Sequence, residues 1–428
     1  MNSYQNSMDF LDLAEKIIPL GSQTFSKSRT QYPVGVSPLF IDRGEGSKVW
    51  DIDGNQYVDF ANSLLAVSIG YNHASVNAAV IEQLKKGVSF SLPSKLEYEV
   101  ASLLVDMVPC AEMVRFGKNG SDATSAAIRL ARAYTQRDYV AVCGYHGWHD
   151  WYIGTTTKNL GVPAATSGLS FSFPYNDIDA LEHLLSSHKD KFAAIIMEPM
   201  NAVYPTPGYL EAVRELATKH KVVLIFDEIC TGARLSPGGA QELFGVTPDL
   251  CAMGKGLANG HPLSAVMGKR EIMELCSEIF FSGTFAGENL SLAAAKEVLT
   301  LVKTGVVTKK LEQTGSIIME GVRGIVTDNG LDGIFSFSGH PSWCFINISR
   351  ETVNDVMLLK TLFLQEMFKR GILILSTHNI SYAHSSSDVT QLLAAYSETM
   401  AVIKDSVKNN NVRDSLECEP LKLLFKVR

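Results

Sequence analysis

No two cysteines in this 428-residue chain are spaced C-x-x-C, and the seven present (Cys110, Cys143, Cys230, Cys251, Cys276, Cys344, Cys418) are scattered and odd in number. That disfavours a disulfide framework and a structural zinc site, and makes a reducing cytoplasm the expected setting. No basic tract stands out against a formal charge of −7, so nucleic acid and anionic membrane are poor partners. No uninterrupted apolar run approaches the roughly 18 residues of a membrane span. Met1–Glu15 has acidic residues and no basic region ahead of an apolar run, unlike a signal peptide. The phosphate loop G-x-x-x-x-G-K-[ST] is missing, as is G-x-G-x-x-G after a first strand, which counts against nucleotide and dinucleotide sites. There is no internal repeat and no low-complexity tract.

What is present is an ordinary globular balance, 46% apolar and 19% charged. At this length two domains are expected. An apolar stripe at Phe10, Leu11, Leu13, Ala14, Ile17 and Ile18 predicts a helix near the start, and residues 40–59 read as a β-meander with a tight turn at Asp53-Gly54. From about residue 74, helical stripes at 75–86, 96–107 and 121–135 alternate with short apolar strands at 113–116, 139–142, 192–198, 222–228 and 250–253, and a helix at 289–303 closes the block. This alternation predicts a mainly parallel sheet covered by helices. Strands at 342–348 and 372–375 and helices at 353–369 and 388–407 follow, then a polar and later amphipathic tail at 408–428. The expected division is 1–65 as an N-terminal segment contributing to a small α+β domain, 66–310 as the large domain, and 311–428 as the rest of the small one.

Five segments carry chemistry. A buried strand, Val222–Phe226, ends in Asp227 and Glu228; a carboxylate there needs a partner, either a protonated heterocycle or a magnesium ion, unless it merely caps a helix. A second strand delivers Lys255 into the turn Gly254-Lys255-Gly256, where a partly dry pocket would lower its pKa and make it a nucleophile or base. Asn119-Gly120-Ser121-Asp122 joins a strand to a helix and forms either an anion site or a simple cap. Gly144-Tyr145-His146-Gly147-Trp148-His149 places aromatics between glycines, able to lie on a planar ring or to close the core. Ser282-Gly283-Thr284 offers a hydroxyl before another helix. An anion cradle, a stacking ring, a carboxylate for a ring nitrogen and a nucleophilic lysine are together what pyridoxal 5'-phosphate requires.

In these segments the chain resembles the class III pyridoxal-phosphate aminotransferases of fold type I, most closely the proteins similar to glutamate-1-semialdehyde 2,1-aminomutase, over residues 12–404. The matching motifs are Gly46–Asn55, the phosphate turn 119–123, Tyr145-His146-Gly147, Glu198-Pro199, Asp227-Glu228-x-x-Thr231-Gly232-x-Arg234, Lys255, and Gly283-Thr284-x-x-Gly287-x-Asn289. The resemblance implies that Lys255 and Asp227 are catalytic, with Asp227 on the pyridine nitrogen and Tyr145 stacked on the ring. It implies further cofactor contacts from Gly120, Ser121, Asp122, His146, Glu198 and Thr284, the last reaching the neighbouring subunit's cofactor in a homodimer. The implied substrates are a small-molecule amino donor and a carbonyl acceptor such as a carbohydrate-derived aldehyde or ketone, with intramolecular aminomutation as the alternative. Two departures stand out. The phosphate turn reads Asn-Gly-Ser-Asp for the family's Ser-Gly-Thr-Glu. Where the aminomutase has an arginine for the substrate carboxylate, this chain has Gly21–Arg29, so that Lys27 or Arg29, with Trp148 and Asn201, become the substrate-binding candidates.

Overall fold

Runs of β-branched and small apolar residues bounded by Gly and Asp make the strands of the larger sheet. In the computed structural model, which describes residues 2–353 and 355–423, these strands are β1 (Met113–Gly117), β2 (Tyr139–Cys143), β3 (Ser170–Ser172), β4 (Phe192–Met197), β5 (Val223–Asp227), β6 (Leu250–Met253) and β7 (Ser264–Gly268). They lie in the order β1-β7-β6-β5-β4-β2-β3. Strands β3, β2, β4, β5 and β6 run parallel, while β7 pairs antiparallel with both β6 and β1. Strands β4, β5 and β6 are buried along their whole length. That accounts for their continuous rather than alternating hydrophobicity, since helices cover both faces.

Helix α1 (Gly120–Thr135) packs on one face through Ala123, Ala126, Ala127 and Ala131, whose small side chains let the helix approach the sheet closely. Helix α2 (Tyr209–His220) covers the other face through Tyr209, Leu210, Val213 and Leu216. Helix α3 (Asn289–Lys303) completes this part.

The described residues divide into two compact units, one formed by residues 74–309 and the other by residues 2–73 together with residues 310–353 and 355–423. The second unit holds a four-stranded sheet of Ile41–Glu45, Lys48–Asp51, Gln56–Asp59 and Ile372–Leu373, and a three-stranded sheet of Phe335–His340, Trp343–Ile348 and Thr377–Asn379. Its first helix, Gln5–Ala14, buries Leu11 and Ala14 but leaves Phe10 and Leu13 largely exposed. The tail after residue 408 is fastened rather than loose: Glu417 N–H donates to Gln365 Oε1 at 2.8 Å and Leu421 N–H to Thr361 Oγ1 at 2.9 Å, both on the Val356–Lys369 helix. Residues 424–428 of that tail lie outside the described residues. Among the described residues, no helix is long and apolar enough to cross a membrane.

Candidate active site

Parallel strands all open the same way, so whatever follows β1, β2, β4, β5 and β6 gathers at one edge of the sheet. Those continuations are Asn119–Asp122, Gly144–Trp148, Glu198, Asp227 and Gly254-Lys255. Ligands of open α/β sheets bind at this edge, and most of the residues singled out from sequence sit there.

Asp227 ends β5 and is 4% exposed. Its Oδ2 lies 2.8 Å from His146 Nδ1, and its Oδ1 accepts the Ile229 N–H at 3.1 Å. The other imidazole nitrogen, Nε2, lies 3.1 Å from the Cys143 carbonyl. A carbonyl only accepts, so Nε2 carries a hydrogen, and a proton is shared between Nδ1 and the carboxylate. The buried carboxylate thus has hydrogen-bond support on both oxygens, as burial of a charge demands.

Glu198 follows β4 and is also buried. Its Oε2 accepts the Tyr145 N–H at 3.0 Å and the Asn201 side-chain amide at 2.7 Å. Burial, and next the nearby Asp227 charge, hold its carboxyl above the ordinary value. Two glycines permit this packing. Gly144 (φ +108°) has no room for a Cβ because Glu198 stands there, and at Gly147 (φ +102°) the Ser121 side chain stands in the way. Both adopt backbone that only glycine takes without strain.

Lys255 follows β6 in a short 3-10 turn at φ +42°, an uncommon conformation for a residue with a side chain. Its Nζ lies 2.6 Å from Cys230 Sγ. The sequence leads one to expect a lowered pKa, and the structure reverses that. Burial pushes the amine down, but Cys230, Glu198 and Asp227 more than offset it, leaving the lysine above its ordinary value. The electrostatics also bring Tyr145 into the cluster: burial raises its phenol, opposed by Lys255, with Asp227, Cys230 and Glu198 contributing.

At the start of α1, the Asp122 carboxylate accepts the N–H groups of Lys118 and Asn119 at 2.9 and 2.8 Å. The first N–H groups of a helix have no acceptor within it, and here they are those of Gly120 and Ser121. The Ser121 hydroxyl accepts the Trp148 N–H at 3.3 Å. This is the strand-to-helix turn singled out from sequence, closed by a capping box of Asn119 and Asp122, with Trp148 largely exposed beside it.

Three further sequence candidates are Thr284, Lys27 and Arg29. Thr284 is exposed and lines a cavity of about 550 Å³ with Phe90, Leu92, Ser282 and Glu288. Lys27 and Arg29 belong to the other unit. Lys27 Nζ donates to Ser63 Oγ at 3.0 Å and lines a cavity of about 380 Å³ with Tyr32, Asp59 and Tyr71. Arg29 forms an ion pair with Glu15.

Three residues in or beside the cluster escaped the sequence reading. Cys230 touches the lysine. Ile229 packs where a Cβ on Gly120 or Gly254 would lie, 3.1 and 3.0 Å away. Ser264, buried at the start of β7, has a hydroxyl with no hydrogen-bond partner among the described residues. Ile229 and Cys230 sit inside the Asp-Glu-x-x-Thr-Gly motif, and their position there is the only signal that could have drawn attention to them.

The comparisons with known proteins agree with this geometry. The family described as aminotransferase class-III matches residues 31–397. The 3-aminobutyryl-CoA aminotransferase of Cloacimonas acidaminovorans is 35% identical over 93% of this chain and 97% of its own length. The glutamate-1-semialdehyde 2,1-aminomutase of Roseiflexus castenholzii is 35% identical over 95% of this chain and all of its own (100%). Among solved structures, an omega-transaminase from Sphaerobacter thermophilus superposes with a TM-score of 0.86 at 28% identity, covering 94% of this chain and 99% of that one. A chain with this sheet, this strand-end cluster and these full-length relatives belongs to the class-III aminotransferase family.

Proposed function

We propose that the chain transfers an amino group from a small-molecule donor to a carbonyl acceptor, with pyridoxal 5'-phosphate held at the strand-end edge of the larger sheet. The observation that carries this is the arrival of Lys255 and Asp227 from adjacent strands β6 and β5, with Asp227, after Cys230 and Glu198, among the groups that raise the lysine's pKa. The donor set suits the cofactor: an open helix N-terminus with Ser121 for a phosphate, a buried carboxylate for a pyridinium, and an aromatic ring at Tyr145. When bound, the cofactor supplies an electron sink for the bonds at the substrate's amino-bearing carbon.

The chain's own residues do the rest. Gly120, Ser121 and the dipole of α1 fix the phosphate, with Asp122 stiffening the turn. Asp227, backed by His146, keeps a proton on the ring nitrogen. Tyr145 limits the ring's tilt. Glu198 fixes the Tyr145 backbone and orients Asn201. Lys255 would hold the cofactor covalently and, when its amine is free, would move a proton at the substrate's amino-bearing carbon.

Thr284 reaches the phosphate of a second copy in a homodimer. The exposed apolar side chains around it, Phe90, Leu92, Phe280 and Phe285, support that reading, since such patches mark interfaces.

The acceptor class to test first is a carbohydrate-derived aldehyde or ketone. Its support lies in the Gly21–Arg29 segment, where Arg29 is neutralised by Glu15 and Lys27 bonds to Ser63 near Asp59, a poor receptor for a free carboxylate. Intramolecular aminomutation is the second reading, favoured by the full-length likeness to the aminomutases. Holoprotein should be yellow, and borohydride should leave a pyridoxyl group on Lys255 in peptide mapping; an adduct elsewhere, or none, overturns the assignment. A mutase then turns over one amino-aldehyde unaided, whereas an aminotransferase stops after one half-reaction until a donor is added.

A further inference from the structure

One contact in the strand-end cluster has no role in the scheme above. Lys255 Nζ lies 2.6 Å from the sulfur of Cys230, on the turn after β5. We infer that Cys230 is a positioning residue for Lys255: whenever the lysine amine is free of covalent attachment, the thiol sulfur accepts its N–H and holds it at the end of β5. The consequence for turnover rests on the proposed function, but the contact itself does not.

The carboxylates near the amine carry other bonds, on both oxygens of Asp227 and on Oε2 of Glu198. Asp227 is bonded to His146 and to the Ile229 N–H, and Glu198 to the Tyr145 N–H and the Asn201 amide. The thiol is rigidly presented, because Glu228 anchors its turn. The Glu228 carboxylate accepts the Ala240 and Gln241 N–H groups at 2.7 and 2.9 Å and the Thr231 hydroxyl at 2.5 Å. The Gly232 N–H closes the turn on the Glu228 carbonyl at 2.8 Å.

Charge agrees with geometry. Burial holds the Cys230 thiol above its ordinary value despite the lysine. The titratable groups facing the amine are Cys230, Glu198, Asp227 and Tyr145. Burial opposes the charged amine, and Cys230 is the foremost group restoring it. An ammonium is not a nucleophile, so the contact stores Lys255 in its charged, waiting form.

The test needs no cofactor. Unliganded protein is labelled with trace acetic anhydride across a pH series, and acetylation of the Lys255 peptide is quantified by mass spectrometry. In Cys230→Ala the midpoint should move to lower pH by about one unit, giving about tenfold more labelling at a fixed pH below the midpoint. Cys230→Val, which fills the space without an acceptor, should behave alike, and Cys230→Ser should return most of the way to the native profile. Native-like labelling in the alanine or valine protein overturns the inference, as does a serine protein that tracks alanine. Adding pyridoxal 5'-phosphate to the same proteins should show faster appearance of the visible band in the alanine variant at neutral pH. If hydride trapping finds no adduct on Lys255, the proposed function fails while the labelling result stands.

Discussion

The strand-end cluster and the Lys27 segment solve the same problem, placing charged side chains, in opposite ways. In the cluster, Asp227 and Glu198 are buried, each bonded to at least two donors, and glycines at 144 and 147 let the chain close over them. Around Lys27 the cations are exposed, with one pairing to Glu15 and the other to a serine hydroxyl. Buried, hydrogen-bonded charge is costly to disturb, whereas exposed pairs contribute little. The cluster is therefore where substitution should be severe, and the Lys27 segment is where it should be mild.

The largest expected effect is Lys255→Ala. It should abolish the borohydride-stable pyridoxyl adduct and slow transamination by about 10²–10⁴-fold or more, since proton transfer by a placed base is lost. Measurable adduct formation in that variant would break the contrast at its strongest point. Next comes Asp227→Ala, with a turnover loss of about 10²–10³-fold from removing preorganised charge. It also leaves His146 Nδ1 facing nothing, at a cost of about 1–3 kcal/mol. Asp227→Asn keeps a polar partner for His146, so its melting temperature should stay nearer the native value while turnover still falls. Equal melting losses for the two variants would show that the carboxylate's contribution to stability is charge rather than hydrogen bonding.

The same contrast explains what could be read in advance. Strands β1, β2, β4, β5 and β6 and helices α1 and α3 fall within about two residues of their expected limits, and in β4, β5 and β6 burial on both faces forces continuous apolar runs. Strand β7, Ser264-Ala-Val-Met-Gly268, escaped notice because it follows the lysine turn with small residues and runs antiparallel, so no helix announces it. Strand β3, Ser170–Ser172, is short and half-exposed, with no hydrophobic run to mark it. In the site, Asp227 and Lys255 were legible as polar residues terminating apolar strands. Their partners were not: the Cys230 contact spans 25 residues of sequence and the His146 contact 81, distances that only the sheet topology closes. The direction of the Lys255 shift was misread for the same reason, since burial is visible in sequence while the neighbouring carboxylates are not.

Thr284 sharpens the comparison because it is exposed like Lys27 yet is assigned to the cofactor. If a second copy covers it, Thr284→Ala removes a hydrogen bond to a charged phosphate, about 1.5–3 kcal/mol, and cofactor dissociation should rise by roughly 10–100-fold. The loss should appear only where sedimentation shows a dimer. An unchanged cofactor affinity in dimeric Thr284→Ala protein would return the residue to the class of bland surface turns.

The smallest effects belong to the Lys27 segment, and their ordering is the informative part. Arg29 is exposed and already paired with Glu15, so Arg29→Ala forfeits a surface ion pair worth about 0–1 kcal/mol and should change KM by less than about fivefold for any acceptor. Lys27 lines the 380 Å³ cavity beside Tyr32, Asp59 and Tyr71. Lys27→Ala should therefore raise KM by more than Arg29→Ala while leaving kcat nearly unchanged, the signature of uniform binding rather than chemistry. The acceptor decides what the pair reports. With a neutral carbohydrate-derived ketone both effects stay small, because hydrogen bonds from an exposed amine are exchanged for ones to water. If Lys27→Ala instead costs a carboxylate-bearing acceptor about 10²-fold in kcat/KM and spares a neutral one, the exposed amine is a carboxylate receptor after all, and the aminomutase-like reading displaces the carbohydrate one.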